Sequence, residues 1–216
     1  MAATDYSERY RRKRKFIEST FKSQADSILE QARAAYDELQ ESPRNSRGIP
    51  DKQSEFIEKR ESLTRKLDRI KENAVKEIGL MCREINSDVA AAWAKPMDSA
   101  QSSAMNAARA VGVDKDNAAG LFCAAKGNAM AMDALCKMAD FSKIPIENPK
   151  PAPLSDLREK IARIEKNRAD AVNRYGGVHD VGLPGASADY FGSMLTPGGY
   201  LAPFDEVLSF LDEYGA

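Results

Sequence analysis

The sequence predicts an all-α protein, and three observations carry that expectation. Two long stretches, Tyr6 to Glu41 and Lys52 to Ala94, contain no proline and place apolar residues three or four apart. Aromatic residues make up only 7% of the chain, so burial must come from Leu, Ile, Val, Met and Ala, a composition suited to helix-on-helix packing. Proline, and glycine apart from Gly79, cluster outside these two stretches rather than inside them. The predicted architecture is a long antiparallel helical hairpin, then a small helical bundle, then a Gly/Pro-rich tail with a short terminal helix.

In the first helix the stripe runs Ile17, Phe21, Ala25, Ile28, Ala32, Ala35, Leu39. The segment SPRNSRGIP, Ser42 to Pro50, breaks it, and Asp51 is positioned to cap the next helix. The second helix carries Phe56, Leu63, Leu67, Ile70, Ala74, Ile78, Met81, Ile85, Val89 and Trp93, and would extend roughly 60 Å. Its spacing is heptad-like only from Leu63 to Ala74, so a strict coiled coil is not expected throughout. Lys95-Pro96 ends it. Two long helices joined by a short break should pack antiparallel, stripe on stripe.

From Met97 to Asp140 the chain becomes Ala- and Met-rich, and three short helices are expected: Ser99 to Val111, Asn117 to Lys126 and Ala129 to Ala139. Asp114 or Asp116 can cap the second and Asn128 the third, while Gly112 and Gly127 suit helix ends. Four prolines between Phe141 and Pro153 make a stiff connector. A further helix starts at Ser155 or Asp156 and shows Leu157, Ile161, Ile164, Ala171 and Tyr175 on one face. The final helix, Phe204 to Tyr214, has an apolar face of Phe204, Val207, Leu208 and Leu211 that needs a docking surface. The resulting segments are 1–95, 96–140, 141–154 and 155–216.

Composition narrows the function. With 32 basic and 33 acidic residues the net charge is −1, so attraction to nucleic acid or lipid must come from a local patch. Three cysteines, none in a C-x-x-C pair, argue against a disulfide framework or a zinc site. No run of about 18 apolar residues predicts a membrane span, and the basic N-terminal region lacks the apolar stretch of a signal peptide. A cytoplasmic or virion location is expected, with no membrane partner.

The strongest local signal is a basic cluster, Arg9, Arg11, Arg12, Lys13, Arg14 and Lys15. These cations repel one another near the positive end of a helix dipole, and an acidic partner would relieve that cost. A solvated helix end is the competing reading, and Asp5, Glu8 and Glu18 weaken the field. Phe16, Ile17, Phe21, Phe56 and Ile57 give the two long helices apolar patches that exceed what one partner helix would cover, and Phe16, Phe21 and Phe56, with Phe204, Leu208 and Leu211 of the last helix, are the candidate protein-contact residues.

Other motifs point to packing. The segment Leu121 to Asp140 has the outline of a helix-turn-helix, but its second helix, AMAMDALCKMAD, offers almost no polar side chain to read a base. His179 is the single histidine and no nucleophile motif accompanies it. The glycines near Gly182 and Gly198 lack the Lys-Ser/Thr of a phosphate loop. Glu55–Lys59 and Glu61–Arg65 are ordinary i to i+4 helix pairs, and with no Glu-x-x-His a di-iron bundle is not expected. No enzyme activity and no cofactor are read from the chain.

The segment GLFCAAKGNAMAMDALCKMADFSKI, Gly120 to Ile144, following a long charged helical region, resembles a pattern in helical proteins encoded by bacteriophages and prophages. That resemblance covers about an eighth of the chain and carries no functional residues. It implies a virion-assembly or head-associated role. The expectation is a non-enzymatic assembly protein partnered by other protein subunits, as a homo-oligomer or within a larger assembly. The alternative is a nucleic-acid-binding adaptor that uses the basic cluster.

Overall fold

The computed structural model describes residues 5–145, 150–178 and 201–215. It is all-helical: seven helices are present among these residues, and no strand. They are α1 (Tyr6–Gln40), α2 (Gln53–Trp93), α3 (Ser99–Val111), α4 (Ala118–Ala125), α5 (Ala129–Phe141), α6 (Leu154–Asn173) and α7 (Leu201–Tyr214). His179, Asp180 and the glycines at 182, 185, 198 and 199 lie outside the described residues, as does 146–149 of the Pro-rich connector.

The chain divides into two compact units. One comprises Met1–Tyr10, Cys82–Arg163 and Ala202–Ala216; the other comprises Arg11–Met81 and Ile164–Leu201. This division cuts across the linear segments expected from the sequence. Long helices present successive turns to different neighbours, so α1, α2 and α6 each contribute to both units.

In the second unit, α1 and α2 run antiparallel. The Tyr36 ring meets Phe56 edge-on at 6.2 Å, and Lys59 pairs with Glu38 at 3.9 Å, so the end of α1 lies beside the start of α2. The predicted stripe is the packed one: Ile17, Phe21, Ala25, Ile28, Ala32 and Ala35 are buried with Leu63, Leu67, Ala74 and Ile78. The break between the helices is tightly built. Asn45 Oδ1 accepts from the Arg47 and Ile49 amides, Gly48 adopts φ +75°, and an isolated antiparallel bridge joins Arg44 to Pro50. The Lys52 amide at the entry to α2 donates to Ser42 Oγ at 3.2 Å, across the loop.

The C-terminal half of α6 closes this unit. Tyr175 packs edge-on against Phe21, ring centres 5.1 Å apart, and its hydroxyl donates to Asp26. Lys71 Nζ donates to the carbonyls of Tyr175 (2.7 Å) and Asn173 (3.3 Å), placing a cation on the negative end of the α6 dipole. Arg168, 5% exposed, reaches Glu18 at 2.9 Å. Arg14 approaches the same carboxylate at 3.9 Å. Burial raises the Glu18 pKa, and the two guanidiniums only partly offset that shift.

The first unit centres on α3, α4 and α5, whose packed faces include Met105, Leu121, Phe122, Met132 and Leu135. The predicted turn glycines and the Asn128 cap are present, but neither Asp114 nor Asp116 caps α4: Asn117 stands at its N-cap and makes no side-chain cap bond. Asp98 and Gln101 form a reciprocal capping box at α3, and Gly112 and Gly127 take φ of +81° and +78° at the turns. Asp114 Oδ1 accepts from the amides of Asp116 and Asn117, ordering the turn ahead of α4. Asn128 is wholly buried: its Oδ1 caps α5 through the Ala131 amide (2.9 Å), and its Nδ2 donates to the Lys95 carbonyl (3.1 Å). One side chain thus starts α5 and fixes the exit of α2.

The terminal helix α7 completes the first unit. Phe204, Val207, Leu208 and Leu211 are at most 1% exposed, and Phe210 stacks on Trp93 at 6.1 Å. The start of α1 closes over it: Tyr6 donates to the Gly215 carbonyl, and Ser7 donates to the Asp212 carboxylate through its amide (3.0 Å) and its hydroxyl. Lys160 of α6 pairs with Glu206.

Candidate functional site

The basic cluster is divided between the two units, with Arg9 in the first and Arg11, Arg12, Lys13, Arg14 and Lys15 in the second. Arg9 belongs to the first unit, where it reaches Glu84 (3.7 Å) and Asp88 (3.6 Å) and lies over the Tyr10 ring at 5.0 Å. Asp88 also accepts the Tyr10 hydroxyl at 2.6 Å. Burial and that hydrogen bond push the Tyr10 phenol well above its ordinary pKa of 10.0. Arg14 turns toward Glu18 in the second unit. Arg11, Arg12 and Lys15 remain exposed on α1, and Lys13 is half-buried.

The predicted protein-contact residues separate in the same way. Phe204, Leu208 and Leu211 are core residues of the first unit, so they hold α7 in place and present no outward surface. This corrects the expectation that they meet a partner: the surface that the last helix needs is supplied by the chain itself. Phe21 is 2% exposed beneath Tyr175. Phe56 is half-buried between the Tyr36 ring and the Arg60 guanidinium, 5.7 Å from its ring centre. Phe16 alone among the six is open, at 70% exposure.

Phe16 borders a groove of 260 Å³ wholly within the second unit. Its walls are Phe16, Ile17, Thr20 and Phe21 of α1 and Ile70 and Ala74 of α2. Lys13, Gln24, Asn73 and Glu77 contribute polar atoms. Helical geometry builds this arrangement. Adjacent residues point about 100° apart, so Phe16 and Ile17 cannot both face α2. Ile17 joins the stripe and Phe16 is turned outward. The consecutive aromatic and aliphatic residues were the signal available in the sequence. The polar members Thr20, Gln24, Asn73 and Glu77 had none, because their proximity depends on the register of α1 against α2.

The groove suits an apolar side chain. Its apolar walls offer dispersion contact and water exclusion, and its polar groups suit orientation of an occupant. Among the described residues no group of three or more His, Cys, Asp or Glu is placed to hold a metal ion. Cys82 and Cys136 are buried, Cys123 is exposed, and burial raises the Cys136 thiol pKa. Among the described residues no helix is long and apolar enough to cross a membrane. The helix-turn-helix outline of α4 and α5 is a packed pair, with Ala131, Met132, Leu135, Cys136 and Ala139 of α5 buried. No family model, curated protein or solved structure matches this chain.

Proposed function

We propose that this chain is a non-enzymatic structural protein that works through helical protein–protein contacts, as a virion or head-associated component of a phage-type assembly. The observation that carries the contact reading is Phe16, an aromatic ring 70% exposed beside an apolar groove on a long charged helix. An exposed ring next to an open apolar cleft is stabilised by a partner that covers both. The phage class rests on the resemblance of Gly120–Ile144 and is the finer part of the proposal. Location in the cytoplasm or in a virion goes with it.

The measurement that tests this is the solution mass of the intact chain by light scattering after size exclusion, at low and high salt. A discrete multimer that survives high salt supports the assembly reading. A monomer whose only affinity is for acidic polymers removes it.

A second reading is favoured by one feature: Arg11, Arg12 and Lys15 are exposed on consecutive turns of α1. In that reading the chain is a nucleic-acid-binding adaptor. It predicts affinity for DNA or RNA that falls steeply with salt, and loss of binding when Arg11 and Arg12 become Gln. Salt-insensitive binding removes it.

A further inference from the structure

The groove and the outer face of α1 are complementary to themselves. On a helix of 3.6 residues per turn, Arg12, Phe16, Ser19, Ser23, Ser27 and Glu30 share one side. All six are exposed. The side is shaped as a basic end, one large ring, a run of small residues and an acidic end. The charges of α1 in this unit are segregated along its length. Arg11 to Lys15 contains five cations and no acid, whereas 26–40 holds Asp26, Glu30, Asp37 and Glu38 against Arg33 alone. A helix with this distribution repels a parallel copy and attracts an antiparallel one.

We infer that this face binds a second copy of the chain, α1 against α1 antiparallel about a two-fold axis near Thr20–Phe21. The inference rests on the assembly reading and names its partner. In an isologous contact each residue meets its counterpart's complement twice. Phe16 of each copy enters the Gln24 end of the other's groove. The serines at 19, 23 and 27 let the two backbones approach, since no large side chain intervenes. Arg12 of one copy comes level with Glu30 of the other. Eighteen residues separate these two on one helix, about 27 Å at 1.5 Å per residue, so they cannot meet within one chain. Their pairing is a property of the dimer alone.

The test uses the full chain and charge exchange. Arg12→Glu and Glu30→Arg are made separately, each on an exposed site, with circular dichroism confirming that helix content is kept. Light scattering at low salt should find wild type dimeric or higher. Each variant alone should be weakened about tenfold or more in self-association, because like charges then face each other twice. Mixed in equal amounts, the two variants should recover association. The new acid at position 12 of one variant then meets the new base at position 30 of the other, and the unchanged Arg12 and Glu30 pair across the second contact. Phe16→Ser should weaken association by a similar factor and should not be rescued by mixing.

A multimer untouched by all three substitutions overturns this inference and leaves the assembly reading on another surface. Two variants that weaken association but fail to rescue one another also overturn it, because the antiparallel register is then wrong. A wild type that is monomeric at all salts overturns both the inference and the homo-oligomeric form of the assembly reading.

Discussion

Removing the Asn128 side chain is the most informative single perturbation of the fold. Asn128→Ala deletes the α5 cap and its bond to the Lys95 carbonyl together. Loss of an N-cap costs about 1 kcal/mol. Here the amide that loses its acceptor, that of Ala131, sits on a residue with no exposure, which raises this cap loss to about 1–3 kcal/mol. The Lys95 residue is half-buried, and water can replace part of its lost bond. With less than about 1 kcal/mol for that second bond, the expected total is about 2–3 kcal/mol. With a urea dependence of about 1–3 kcal/mol per molar, the midpoint should fall by about 1–2 M. Trp93 is the single tryptophan and stacks on Phe210 in the same unit, so its fluorescence reports this transition directly. Asn128→Asp separates the two bonds: it keeps the cap acceptor but turns a carboxylate toward the Lys95 carbonyl, and should be rescued as pH falls below about 4. A loss under about 0.5 kcal/mol for Asn128→Ala would refute the two-bond account.

Other contacts make equally concrete demands. Arg168→Met should destabilise by about 3 kcal/mol in chemical denaturation, because it takes the nearer cation, at 2.9 Å, away from the buried Glu18, whereas the pair Glu18→Leu with Arg168→Met should come near wild type. Lys71→Met should lower stability by about 1 kcal/mol, measured by the far-ultraviolet signal, through loss of the two carbonyls at the end of α6. Burial raises the phenol pKa of both Tyr10 and Tyr214, so each stabilises the fold fully below pH 10. That contribution should fade as pH rises beyond 10, and Tyr214→Phe should flatten the alkaline arm of a urea-midpoint profile. Gly215→Ala would set a methyl 2.6 Å from the Leu211 carbonyl and 2.7 Å from the Tyr6 ring, so it should cost about 1–3 kcal/mol by thermal melting.

Local chemistry was legible in the sequence and distant pairing was not. The stripe Ile17 to Ala35, the capping residue Asn128 and the turn glycines Gly112 and Gly127 were readable because each depends on residues within a turn or two. The partners of Arg9, Glu84 and Asp88, lie far along the chain on α2, so the sequence presents the cluster as one basic patch. The C-terminal helix shows the same limit. Its apolar face announced a need for cover, but nothing local names Trp93 as the cover. Phe16 was visible as a contact candidate beside Phe204, Leu208 and Leu211. Only burial distinguishes the one that stays outside from the three that go in.

The closure of α1 over α7 also sets the order in which the chain becomes a folded protein. Tyr6 and Ser7 find Gly215 and Asp212 across 209 and 205 positions of sequence. Bringing such ends together from a wholly unfolded chain costs about 5 kcal/mol of loop entropy. During synthesis the start of α1 emerges more than 200 residues ahead of its partners, so the first unit cannot close until Gly215 and Asp212 have been made. The Arg11–Met81 hairpin, with its short connecting loop, can form long before that. Until α7 arrives, Trp93 and the inner face of the first unit lack their cover, and that interval is when a chaperone or a premature neighbour has access to them.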